Sequence, residues 1–323
     1  MNCSNGNTDS VPNGFRRYQC RAGSSMACSL IMLFVLLFIV ADVSWAESER
    51  PDLATASTVM ERPQWELGIA GGAFHGFDYP ASNDRNQRSI LLPFVVYRTP
   101  LFRFGGGGVR AVAIENPRVK LDLSIGGSLN ASSEGNSVRE GMPDLDFLFE
   151  LGPQLEVRLF DKKLDSGELL LGRFTSELRA VFSTDFRGVD QQGYVAEFGL
   201  GLRLRNIRKS RVDLLSGLDI TFASERLQDY FYEVGPEDAT TTRAVYDAKG
   251  GYLETSLFLG LAYRPMPSLS IFAGVIPGYY NGASNERSPL FETTHHVRYA
   301  LGVAWTIKRS RKMVEIVDMG AQQ

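Results

Sequence analysis

The chain has three cysteines, and all of them (Cys3, Cys20 and Cys28) lie within its first 28 residues. Any product cut beyond them has no disulfide and no thiol chemistry. Histidine is nearly as scarce. His75 stands apart, and His295 and His296 are adjacent, which on a strand sends them to opposite faces and makes them a poor metal pair. A single charge sign does not dominate either. The net charge is -3 with 34 basic and 37 acidic residues, which argues against a nucleic-acid partner. Long hydrophobic runs are absent after residue 41. The one present, Ser29–Ala41, is 13 residues long, shorter than the roughly twenty that a spanning helix needs.

That run reads as the core of a secretory signal peptide. Arg16, Arg17 and Arg21 precede it, and Ser44-Trp45-Ala46 offers small residues for a cut after Ala46. Cys28 opens the apolar run instead of following it, which speaks against a lipid anchor. The expected division is a signal peptide over 1–46, a flexible periplasmic lead-in over 47–64, the main domain over 65–307 and a tail over 308–323.

Catalytic patterns are also missing. No serine sits in G-x-S-x-G. Gly105–Gly108 lacks the Gly-Lys-Ser/Thr ending of a phosphate loop and reads as a place of tight bending. The chain is therefore read as a non-enzyme with no cofactor and no metal.

What is present is alternation. In residues 194–205, Tyr194, Ala196, Phe198, Leu200, Leu202 and Leu204 share one face, against Glu197, Gly199, Gly201, Arg203 and Arg205 on the other. The same period of two runs through 119–130, 169–183, 211–222 and 297–307. These segments are about twice the length of strands in soluble sheets, and about 9–11 residues suffice for a tilted strand to cross a bilayer. Aromatic residues such as Trp65, Tyr97, Tyr263, Tyr299 and Trp305 gather near strand ends, as in interfacial girdles. Lipid leaves only helices and closed barrels as spanning structures. The reading is an all-β protein, an antiparallel transmembrane β-barrel of about 12 strands with 10 as the alternative, in the outer membrane of a Gram-negative bacterium. Its segments are 65–76, 88–98, 101–114, 118–130, 146–160, 168–183, 190–205, 210–223, 227–234, 251–264, 268–281 and 293–307.

Glu150, Glu156, Arg158, Arg173, Glu177, Arg179, Glu197, Arg203, Arg205, Asp213 and Asp219 fall on the polar face. They are expected to line the lumen and to pair across strands, because narrow barrels have little spare volume; a small pore is the alternative. Segments 77–87, 235–250 and 282–292 are assigned to the outside, with 131–145 left as an unusually long periplasmic connection. In the tail, Lys308, Arg309, Arg311 and Lys312 form a basic cluster suited to anionic lipid.

Several stretches resemble a known family. They are Gly71-Gly72, Tyr79-Pro80-Ala81-Ser82, Pro93-Phe94, Tyr97-Arg98, Gly105–Gly108 with Arg110, Arg139-Glu140-Gly141-Met142-Pro143-Asp144-Leu145-Asp146, and Glu150-Leu151-Gly152-Pro153. The chain resembles the MipA/OmpV family, the MltA-interacting outer-membrane proteins. The resemblance implies a non-enzymatic barrel that acts as a scaffold for murein synthesis and remodelling. The implied partners are a membrane-bound lytic transglycosylase and a bifunctional penicillin-binding synthase. Arg139, Glu140, Met142, Asp144 and Asp146 are the candidate partner-binding residues. A small channel or a surface adhesin is the alternative function. The sequence departs from the family at Ala81, where glycine is usual, and in the residues that follow Ile307.

Overall fold

The computed structural model describes residues 58–98, 102–104, 109–111, 114–115, 118–128 and 131–318. The signal peptide expected over 1–46 and the Gly105–Gly108 run lie outside the described residues.

Ten long antiparallel strands make the wall. They are β2 (Trp65–Phe77), β3 (Arg85–Arg98), β7 (Val119–Ser128), β8 (Phe147–Lys163), β9 (Leu169–Thr184), β10 (Val189–Arg205), β11 (Val212–Ala223), β12 (Gly251–Met266), β13 (Leu269–Tyr279) and β14 (His295–Arg309). Three short strands, β4 (Phe102–Phe104), β5 (Val109–Ala111) and β6 (Ile114–Glu115), stand at the two edges. The order is β5-β4-β3-β2-β14-β13-β12-β11-β10-β9-β8-β7-β6. Neighbours in the chain pair with each other from β2 to β5 and from β6 to β14, and β14 pairs with β2 through Tyr299↔His75 and Trp305↔Ile69.

This corrects the expected closed barrel of 12 strands. The sheet is an open half-barrel that curls through 233° and leaves its edges 14 Å apart, with about 10 strands. Two segments account for the difference. Among the described residues of 101–114, read as one strand, β4 and β5 pair antiparallel with each other, Phe102 opposite Ala111. Residues 227–234, read as a strand, fall in helix α1 (Glu225–Tyr232). Leu227, Gln228, Phe231 and Tyr232 are its buried residues. That spacing is the stripe of a helix, and one residue before it Ser224 stands at the N-cap position.

The convex face is apolar and exposed, with Leu91 at 69%, Leu301 at 55% and Trp305 at 54%. A face of this kind requires hydrocarbon as its solvent. The concave face is divided lengthwise. On β2, β3, β13 and β14 its middle is apolar, with Ala70, Phe94, Val96, Phe272 and Ala304 buried together and Ile90, Leu92, Ala300 and Phe258 of β12 packed on them, while the Glu66–Arg98 pair and Arg298 stand towards the two ends. The rings need glycine opposite them. A Cβ on Gly68 would meet the Trp305 carbonyl and stand 2.5 Å from the Phe94 ring. Gly68→Ala is therefore expected to cost about 1–3 kcal/mol, as overpacking does, read as a fall in denaturant midpoint at unchanged slope. On β7 to β11 the concave face is charged.

The two ends of the wall differ. One carries short connections, 164–168, 206–211 and 267–268, and receives both chain termini. The other carries 78–84, 131–146, 185–188, 224–250 and 280–294. The 131–146 segment therefore lies at the loop end, opposite the termini. The expected strand count puts it at the same end as β1 and β15; without a strand at 227–234, and with β4 and β5 antiparallel to each other, the alternation of ends shifts. Within the expected lead-in and tail, β1 (Thr58–Pro63) and β15 (Met313–Asp318) form a two-stranded antiparallel ribbon.

Candidate functional site: a charged wall under a loop cap

On β8, β9, β10 and β11 the charged residues alternate with outward leucines and phenylalanines, so the strand period alone aims them at the concave side. Arg179 is their hub. Its Nε donates to Glu150 Oε2 at 2.8 Å and its Nη2 to Glu197 Oε2 at 3.2 Å, and its Nη1 pairs with Glu177. Ser124 Oγ donates to Glu177 Oε2 at 2.5 Å, which ties β7 into the same network. One guanidinium thus holds three carboxylates from three adjacent strands.

A second cluster sits at the terminal end. Asp213 is fully buried. Arg203 Nε donates to Asp213 Oδ2 at 3.1 Å, Arg264 Nη2 donates to the same oxygen at 3.0 Å, and the Asn206 amide donates to Oδ1 at 2.9 Å. This holds the 206–211 turn, in which Asn206, Arg208, Lys209 and Arg211 all have positive φ. Near the loop end Arg298 Nη2 donates to Glu254 Oε1 at 3.2 Å. Glu156 is buried on the same wall, whereas Arg173 is exposed there beside Gly201. The expected lumen residues thus share one side of the concave face, with Arg158, Arg205 and Asp219 on the same strands. The expected lumen set omits Lys120 and Asp122, which pair at 2.7 Å, and Glu254, Arg264 and Arg298. Charge at the alternate positions Arg118, Lys120 and Asp122 was the available signal for the first two.

The loop end folds into a cap with its own core. Tyr79, Ala131, Leu145, Leu148, Val181, Val195, Leu227, Phe231, Tyr232, Val234, Leu253 and Leu290 are buried together there. Helix α1 lies across the mouth, with Tyr232 Oη donating to Pro80 O at 2.7 Å. The Arg139-to-Asp146 motif is part of this cap. Arg139 is 5% exposed. Its Nη1 donates to Phe231 O at 3.3 Å, its Nη2 to Pro143 O at 3.1 Å and its Nε to Ser133 Oγ at 3.4 Å, while its guanidinium lies 5.7 Å from the Tyr79 ring centre. Burial lowers the pKa of Arg139, opposed by Tyr79 and Tyr230; burial likewise pushes Tyr230 up to about 12. Glu140 Oε2 accepts the Gly135 amide at 2.7 Å, and Asp144 Oδ1 accepts the Ser133 amide at 2.6 Å. The Asp146 amide donates to Tyr230 Oη at 2.6 Å, and Met142 packs on the cap core. From a second loop, Arg243 Nη1 donates to Val138 O at 2.7 Å. The five motif residues thus have partners within the chain, and Glu140 and Asp144 keep exposed surface.

His295 is exposed and His296 buried, on opposite faces as their adjacency requires, with Tyr280 Oη and His296 Nε2 2.5 Å apart. Among the described residues, no three His, Cys, Asp or Glu side chains are grouped to hold a metal ion.

Comparison with known proteins gives a family match over residues 69–307, described as MltA-interacting protein MipA. No curated protein matches the chain. Among solved structures it is similar to a bacterial polysaccharide outer membrane secretin, at 7% identity and TM-score 0.33 over 75% of this chain and 99% of that one. It is similar to OprB of Pseudomonas putida, at 7% identity and TM-score 0.32 over 75% and 94%. It is also similar to outer membrane phospholipase A of Escherichia coli, at 13% identity and TM-score 0.29 over 84% and 98%. Likenesses this distant carry nothing about activity.

Proposed function

Because the chain belongs to the MltA-interacting protein MipA family, which makes it a non-enzymatic β-structured protein of the outer membrane, we propose that it works there as a small, cap-gated channel for hydrophilic solutes. The observation that carries this is the charged half of the concave wall. A wall that only had to pack would be as stable or more so with apolar residues in place of buried ion pairs, and the other half of the same wall is built that way. Charges of both signs instead run its full height, from Asp213 and Arg203 through Arg173 and Glu177 to Arg179, Glu150 and Glu254. Short connections at the terminal end and long ones at the loop end match the periplasmic and extracellular sides of outer-membrane strand proteins. In that orientation the cap covers the outer mouth.

Arg139 is the lever for a test. Arg139→Ala removes charged donors from the Phe231 and Pro143 carbonyls, each such bond being worth about 1.5–3 kcal/mol. In planar bilayers the wild type is expected to show small or infrequent conductance steps, and Arg139→Ala larger or more frequent ones. Absence of discrete steps from both proteins rules the channel out.

A second reading is favoured by the family description and by the ribbon at the terminal end: a scaffold for murein synthesis and remodelling. Its partners would be a membrane-bound lytic transglycosylase and a bifunctional penicillin-binding synthase, met from the periplasm. Pull-down from crosslinked membranes should recover such an enzyme; recovery of none contradicts this reading.

A further inference from the structure

The ribbon continues the β14–β2 pair past the wall. Ser310 donates its amide to Trp65 O at 2.8 Å, and Gln64 donates its amide to Lys312 O at 2.8 Å. Pairing then runs unbroken from Pro63↔Met313 to Thr58↔Asp318. Six residues of strand extend about 20 Å. Among the described residues, β1 and β15 pair as strands only with each other, so, apart from Pro63, whose carbonyl accepts Arg98 Nη1 at 3.0 Å, each has an outer edge of backbone N–H and C=O groups with no strand beside it.

Two features make this an incomplete structure. A two-stranded sheet is marginal in water and gains independent stability from a third strand. In addition, Glu61 stands directly opposite Glu315, both exposed, and like charges in that position destabilise the pair. Met313, 44% exposed, lies on the same face by strand alternation, next to the glutamate pair. The other face differs, since Arg62 is buried there. A segment that adds to the edge and carries a cation toward Glu61 and Glu315 answers both features at once. Strand addition of this kind takes its affinity from main-chain hydrogen bonds and its specificity from alternate side chains.

We propose that the β1–β15 ribbon is a docking edge for an extended segment of a periplasmic protein, which adds as a third strand with lysine or arginine alternating with apolar residues. The inference rests on the scaffold reading for its compartment, and it assigns the contact to the ribbon instead of to residues 131–146.

The test uses the full-length protein in detergent and a fluorescent octapeptide of alternating Lys and Val. The expected result is saturable binding. It should weaken at least tenfold when alternate peptide amides are N-methylated, and at least tenfold in Glu61→Lys/Glu315→Lys protein whose wall still shows the wild-type heat-modifiable gel shift. Equal binding of the N-methylated peptide means that charge alone attracts it and overturns strand addition. Equal binding to the charge-reversed protein overturns the ribbon as the site, and no binding overturns both. The pull-down described above is scored separately. Peptide binding without enzyme recovery sinks the scaffold alone, and enzyme recovery without peptide binding sinks the ribbon alone.

Discussion

Arg179→Ala is expected to destabilise the folded protein by about 3–5 kcal/mol, the usual cost of removing one partner from a buried charge cluster. The change leaves Glu150, Glu177 and Glu197, from β8, β9 and β10, facing one another without their shared cation. Denaturant titration of protein refolded into vesicles measures it. The same experiment on Arg179→Met combined with Glu150→Gln, Glu177→Gln and Glu197→Gln separates charge from packing. That quadruple variant should recover most of the loss, because removing a whole cluster is often near neutral. A loss below about 1 kcal/mol for Arg179→Ala places the cluster among surface-like pairs and contradicts its role as the hub of the wall.

Asp213→Ala is the second large effect. Asp213 is 0% exposed and takes bonds from Arg203, Arg264 and the Asn206 amide. Its removal leaves two guanidinium groups and one backbone donor without that acceptor, again about 3–5 kcal/mol. The loss has a local signature. The 206–211 turn holds four non-glycine residues at positive φ, each a conformation that other contacts must enforce. Trypsin should therefore cut Asp213→Ala protein after Arg208, Lys209 or Arg211 under conditions that leave the wild type intact. Equal resistance of the two proteins contradicts the assignment of Asp213 as the clamp of that turn.

Much of this wall is legible in the sequence, for a physical reason. Where one face meets hydrocarbon and the other meets water or ion pairs, side chains alternate in polarity, and the expected β9 to β11 lie within two residues of the observed ends. The apolar half of the concave face is hidden because polarity does not alternate there. On β2 the inward Gly68, Ala70 and Gly72 alternate with Leu67 and Ile69 in size alone, and their role depends on Phe94 from the next strand. Helix α1 was misread because LQDYFYEV supports either period over so few residues, and its decisive contacts come from distant loops. The ribbon escaped notice because neither of its six-residue strands has an apolar face that sequence alone would pair.

The Arg139-to-Asp146 motif lies at the end of the wall opposite β1 and β15, not at the end that the expected strand count gives it. Its end depends on the strand count, so one helix read as a strand, together with an antiparallel pair read as one strand, moves it from one end of the wall to the other. Arg139, one of the candidates for partner contact, makes its bonds within the cap.

The central claim is the two-ended organisation: cap outward, ribbon inward, charged wall between them. Residues 47–323 contain no cysteine, so one introduced thiol reports one position. Val245→Cys lies in the cap at 58% exposure, and Arg311→Cys stands exposed at the foot of the ribbon. With a membrane-impermeant maleimide on intact cells, Val245→Cys should label and Arg311→Cys should not. Both should label once the outer membrane is permeabilised. Labelling of Arg311→Cys but not of Val245→Cys in intact cells would contradict the account.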